Sequence, residues 1–159
     1  MLTGLITDYE GRSVDVGMFD GYVTGRDAQL TQQLVSESSS GLLLTGPLKL
    51  VQRFFLELMT ERGSLMFLPQ RGSTFMLDAQ RGYWRTPGDV SSSFYAALLD
   101  IKNNLIQDEN PDDPSDECFR GAELLGVSVT PNLVTARIKV TTAAGDAPVI
   151  TFPLRTSYV

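Results

Sequence analysis

Residues 49 to 75 read KLVQRFFLELMTERGSLMFLPQRGSTF, and three physical events follow one another within them. Val51, Phe54, Phe55, Leu58 and Met59 recur at helical spacing, with Lys49, Arg53, Glu57 and Glu61 opposite them. Pro47 suits the first helical position, where its missing N–H costs nothing. A left-handed Gly63 suits the end. The pattern predicts a helix over 47–62. Burial of its two phenylalanines contributes about 1.5–3 kcal/mol each. An Arg53–Glu57 pair one turn apart adds only about 0.3–0.5 kcal/mol. Thr60 to Ser64 then break the helix, and an apolar run follows, closed by Pro69 and Gly72.

Downstream, Phe94, Leu98, Ile101 and Leu105 predict a second helix over 92–107, with serines 91 to 93 as N-cap candidates. Pro111 and Pro114 prevent its continuation. The period then changes to two. Val134, Ala136, Ile138 and Val140 alternate with Thr135, Arg137, Lys139 and Thr141. Strands are expected at 122–130, 133–142 and 148–155, forming an antiparallel meander with one buried face. Upstream, glycines punctuate β-prone runs at 2–7, 14–19 and 22–24, a short helix is possible over 27–35, and 36–41 is a loop. The expected fold is α+β, with two main helices packed on a small antiparallel sheet that ends in a three-stranded meander. Residues 1–46 form an arm with short strands, and 47–159 form the compact domain.

Composition narrows the function. The chain has 159 residues, enough for one domain that buries ~70% of its unfolded surface. The net charge of −6 is concentrated in DENPDDPSDE, residues 108–117, whose six acids leave the other thirteen to balance the thirteen Lys and Arg. A neutral body lacks the basic footprint of a nucleic-acid binder. No apolar run reaches the ~18–20 residues of a membrane helix. The opening MLTGLITDYEG lacks the basic flank of a signal peptide, so a cytoplasmic site of synthesis is expected. One cysteine, Cys118, excludes an internal disulfide and thiolate zinc sites. Histidine is absent, which removes Ser-His-Asp triads and histidine metal sites. Neither a GxxxxGK[ST] loop nor a GxGxxG turn occurs, and no cofactor is implied.

Four features could still carry chemistry or binding. Glu57 and Glu61 could act as a glycosidase pair, but a solvated helix face balanced by Lys49 and Arg53 explains them better. The acidic segment lacks calcium-loop spacing and is expected to be a mobile, solvated loop. Arg81-Gly82-Tyr83-Trp84-Arg85 reads equally as an interface hot spot or as Trp84 covering the core. The last strand, with Val149, Ile150 and Phe152, carries no charge before Arg155, and the run at 2–7 carries none. Either could be an edge open to strand addition, although pairing within the domain is favoured.

With these residues in place, the chain resembles the phage baseplate wedge proteins that nucleate the contractile tail sheath, relatives of which serve type VI secretion systems. The likeness spans roughly residues 45–155. Leu58, Thr60 and Gly63 give Leu-x-Thr-x-x-Gly, and Ser64, Phe67, Pro69 and Gly72 continue the pattern. Family members often carry a glutamate after the first glycine and an acidic or aromatic residue before the second, where this chain has Ser64 and Arg71. The resemblance implies a non-enzymatic adaptor that joins wedge scaffold proteins and templates the first ring of tail sheath protein. Six copies per particle would assemble, made in the host cytoplasm and ending in the virion. Partner contacts would then involve Thr60, Gly63, Ser64, Pro69, Arg71, Gly72, Trp84, Val149, Ile150 and Phe152. Another small tail or head-completion protein is the alternative, and a peptidoglycan glycosidase a more distant one.

Overall fold

The structure, a computed structural model, describes residues 12–17, 23–24, 27–29 and 43–155. In chain order the elements are strands β1 (Asp15–Val16), β2 (Val23–Thr24), β3 (Asp27–Gln29) and β4 (Leu43–Leu44), then helices α1 (Gly46–Met59), α2 (Phe75–Gln80) and α3 (Pro87–Gln107). A 3-10 turn at Ser115–Glu117 leads to β5 (Phe119–Thr130), β6 (Leu133–Thr142) and β7 (Val149–Arg155). The architecture is the expected α+β, with the helices on one face of the sheet.

α1 forms where the apolar stripe placed it. Leu50, Val51, Phe54, Phe55 and Leu58 are all buried. Its N-terminus is satisfied by a distant carboxylate, because the Gly46 N–H donates to Glu117 Oε1 at 2.9 Å. The helix stops at Met59, three residues short of the predicted end. Thr60 is already extended, at φ −79° and ψ 126°, and its carbonyl accepts from the Ser73 N–H at 2.8 Å. Gly63 does adopt a positive φ of 87°, but in the following turn rather than at the helix end.

α3 begins five residues earlier than predicted. Pro87-Gly88 resembles a loop boundary in sequence, yet proline near the N-terminus of a helix is compatible with its first turn. The cap is Thr86 rather than a serine. The Thr86 side chain accepts from the Asp89 N–H at 3.3 Å, and Asp89 Oδ2 accepts from the Thr86 N–H at 2.7 Å. The Thr86 hydroxyl, which donates to Asp89 Oδ2 at 2.9 Å, and then the Thr86 N–H hold the Asp89 carboxyl below its ordinary pKa.

The sheet runs β2-β3-β7-β6-β5. β5, β6 and β7 form the predicted antiparallel meander, with Ile138 opposite both Leu124 and Ile150. Two further strands extend it. β3 pairs with β7 in parallel, Ala28 facing Ile150, and β2 pairs antiparallel with β3. The expected helix over 27–35 is therefore corrected at its start, since Asp27–Gln29 is strand. Its remainder, together with the runs at 2–7 and 36–41, lies outside the described residues.

Val134, Ala136, Ile138 and Val140 on β6 meet Ile150 and Phe152 on β7, and all are fully buried under the helices. Aromatic contacts knit the layers. Phe54 stacks on Phe119 at 5.8 Å, Phe55 meets Phe152 edge-on at 5.2 Å, and Phe75 lies 4.5 Å from Trp84. The stretch at 12–17 is fastened to α1. Gln52 Nε2 donates to Asp15 Oδ2 and to the Val16 carbonyl, each at 2.9 Å, and Lys49 Nζ donates to Ser13 Oγ at 2.5 Å.

Candidate functional site

The break after α1 is a closed loop. Glu61 and Ser73 form a parallel bridge, with Arg62 N donating to the Ser73 carbonyl at 3.0 Å. The Ser73 hydroxyl donates to the Leu58 carbonyl at 3.0 Å and seals the base. Inside that neck the chain folds through consecutive turns. Ser64 N bonds the Glu61 carbonyl at 3.1 Å, Leu68 N bonds Leu65 at 3.2 Å, and Arg71 N bonds Leu68 at 3.0 Å. An Ω-type loop tied this way is compact without a core of its own.

Its underside is held by charge. Glu57 is 6% exposed and accepts from the Gly72 N–H at 2.8 Å and from Asn104 Nδ2 at 3.1 Å. Arg71 pairs with Glu57 and reaches Asp108 Oδ2 at 2.6 Å. Asn104 also donates to the Gln70 carbonyl at 3.3 Å, and Arg62 pairs with Asp100 at 2.8 Å. α1 and α3 thus grip the loop from two sides. A buried ion pair of this kind roughly repays its own desolvation, so its main effect is to select one loop geometry.

The apex behaves differently. Met66 is 84% exposed and Phe67 89%, flanked by Leu65 at 44% and Leu68 at 49%. Four consecutive apolar residues, two of them almost fully in water, add little to the core, and exposed apolar runs of this kind are common at contact surfaces. Burying Met66 and Phe67 against a partner would contribute about 1.5–3 kcal/mol each before the costs of association.

Of the residues expected to bind partners, Thr60, Gly63, Ser64, Pro69, Arg71 and Gly72 come together in this loop. The others do not. Trp84, Ile150 and Phe152 are each 0% exposed, so the core reading of Trp84 holds and the interface reading is corrected. Val149 lies on a strand paired on both sides, so β7 is an interior strand and the edge reading of it is corrected too. Lack of charge on β7 reflects its place between β3 and β6. Among the described residues, β5 forms one margin of the sheet, carrying two register shifts, one between Phe119 and Gly121 and one between Leu124 and Gly126.

Two charge readings change as well. Glu57 is not on a solvated face, and Arg53 lies 3.6 Å from Asp108. The segment 108–117 is not simply solvated, since five of its six acids are engaged within the fold. Glu109 pairs with Arg120 at 3.0 Å, Asp113 accepts from the Asn110 N–H at 2.8 Å, and Asp116 pairs with Arg12 at 2.8 Å. Glu117 is 4% exposed and pairs with Lys49 at 2.5 Å. Sequence reasoning missed Leu65, Met66 and Leu68 as apex residues and Glu57, Asn104 and Asp108 as their support. The signal for the apex was present in four apolar residues set between Gly63 and Pro69.

Among the described residues no cluster of His, Cys, Asp or Glu could hold a metal, and no helix is long and apolar enough to cross a membrane. Comparison with protein-family models, curated proteins and solved structures returns no match.

Proposed function

We propose that this chain is a non-enzymatic structural component of a contractile phage tail baseplate, joining wedge scaffold proteins through the loop between α1 and α2. The observation that carries the reading is the exposed Leu65–Leu68 apex on a neck closed by Thr60 and Ser73 and gripped by Glu57, Arg71 and Asn104. The Leu-x-Thr-x-x-Gly pattern builds that neck. The loop is already ordered, so docking it incurs little conformational entropy, which favours a permanent assembly contact. Strand templating of tail sheath belongs to the same proposal, and the margin that suits it is β5 rather than β7.

The test is a tagged pull-down from particle-producing cells, with wild type and a Met66→Asp/Phe67→Asp variant compared by mass spectrometry. Wild type is expected to recover the large wedge scaffold protein and the sheath protein, and the variant to lose the scaffold. Recovery of the wild-type chain alone from cells making complete particles would refute the proposal.

A further inference from the structure

Trp84 being core leaves the rest of its segment unexplained. The chain leaves α2 through three closing bonds, Arg81 N to the Leu77 carbonyl, Gly82 N to Ala79 and Tyr83 N to Asp78, each 3.0 Å. Trp84 then plunges against Phe75, and Arg85 N donates to Asp89 Oδ2 at 3.1 Å. Pinned on both sides, the segment turns the neighbours of Trp84 outward. Tyr83 is 58% exposed, and Arg81 and Arg85 are exposed too.

These arginines differ from most of the other described cations. Lys49, Arg53, Arg62, Arg71, Arg120 and Lys139 each pair with a carboxylate. Among the described residues no carboxylate lies within ion-pairing distance of Arg81 or Arg85. Two acids are close in sequence, and Asp89 attracts Arg85 through its charge, but neither makes an ion pair with either guanidinium. Asp78 accepts from the Ser93 hydroxyl at 2.5 Å, and Asp89 accepts from Thr86 and the Arg85 amide. Two guanidiniums with no direct carboxylate contact therefore flank an exposed phenol, in a chain of net charge −6.

We infer that Arg81, Tyr83 and Arg85 form a recognition surface for a carboxylate-rich segment of a protein partner. Guanidinium forks match carboxylates two bonds at a time, and Tyr with Arg is the pairing interfaces favour. A phosphate polymer is the weaker fit, since nucleic-acid sites commonly neutralise about 6–10 phosphates and this surface offers two cations. The surface uses residues other than those of the apolar loop, and the inference stands without the baseplate reading.

Fluorescence anisotropy of a fluorescein-labelled hexaglutamate peptide with the full chain tests it, at about 50 mM salt where exposed charges are little screened. Wild type is expected to bind, and Arg81→Gln/Arg85→Gln to bind at least about tenfold more weakly. Lys102→Gln, which removes an exposed cation on α3, is expected to bind like wild type. Trp84 emission reports that each variant keeps its fold. Absence of wild-type binding, equal binding by the double variant, or equal loss in Lys102→Gln overturns the inference. So does labelled oligothymidylate binding more tightly than the peptide through the same arginines, which would assign the surface to nucleic acid.

Discussion

Replacing Gly72 with alanine should destabilise the protein far more than the same change at Gly63, although both have nearly the same φ. Gly63 has φ +87° and Gly72 φ +86°, so each substitution meets the left-handed penalty of roughly 1–2 kcal/mol. Around Gly63 nothing lies within 4 Å of the added methyl. At Gly72 the methyl would sit 2.3 Å from the Thr60 carbonyl oxygen and 2.9 Å from its carbon. Both are backbone atoms and cannot swing aside. Relief requires opening the neck, where that same oxygen accepts from Ser73 N, or shifting Gly72 N away from Glu57. Overpacking of this sort costs about 1–3 kcal/mol more, giving roughly 2–5 kcal/mol for Gly72→Ala against 1–2 kcal/mol for Gly63→Ala. Urea denaturation followed by Trp84 emission measures both, because Trp84 packs on Phe75 just beyond the loop. Equal midpoints for the two variants would show that the close approach of Gly72 to Thr60 does not constrain the loop.

Three other outcomes follow from the same structure. Glu57→Ala strands the Gly72 N–H and the Asn104 amide and should cost about 2–4 kcal/mol in the same urea assay, whereas Glu57→Gln, which keeps an acceptor, should cost less. Asp89 has a depressed pKa when folded, so its capping stabilisation is complete above the ordinary 3.8 and lost as pH falls through the lower folded value. The gap in thermal midpoint between wild type and Asp89→Asn should accordingly be present at neutral pH and close in acid below that range. A gap independent of pH would count against the cap. Burial, with the nearby Glu109 charge, raises the Cys118 thiol, so alkylation by iodoacetamide should be at least about tenfold slower in native protein than in urea.

What the sequence made legible was what repeats locally. The stripe from Val51 to Leu58, the run from Phe94 to Leu105 and the alternation from Val134 to Val140 each bury one face, and period alone reveals that. Partners far apart in sequence were not legible. Glu57 has Arg53 four residues away, a spacing that promises a surface pair, yet its cation is Arg71 across the loop. Six acids in ten residues look self-repelling until the fold brings Arg12, Lys49, Arg71 and Arg120 to them. Pairing of β7 within the domain was the favoured reading, but its second neighbour, β3, was not legible because it is three residues long and too short to show a period.

The candidate loop combines both kinds of information, and that division bears on its role. Its apex is encoded locally, in Leu65 to Leu68 between Gly63 and Pro69, and the domain's core does not depend on those side chains. Its support is encoded non-locally, by Glu57 on α1, by Asn104 and Asp100 on α3, and by Asp108 at the C-cap of α3. A loop needed only to connect two helices would not require three carboxylates and an amide to keep one shape. Nor would it hold its most apolar residues in water. Apolar exposure is unfavourable for solubility and neutral for folding, whereas rigidity lowers the entropy lost on docking. The two features together suit the proposed role, in which a partner would supply the burial that the apex lacks.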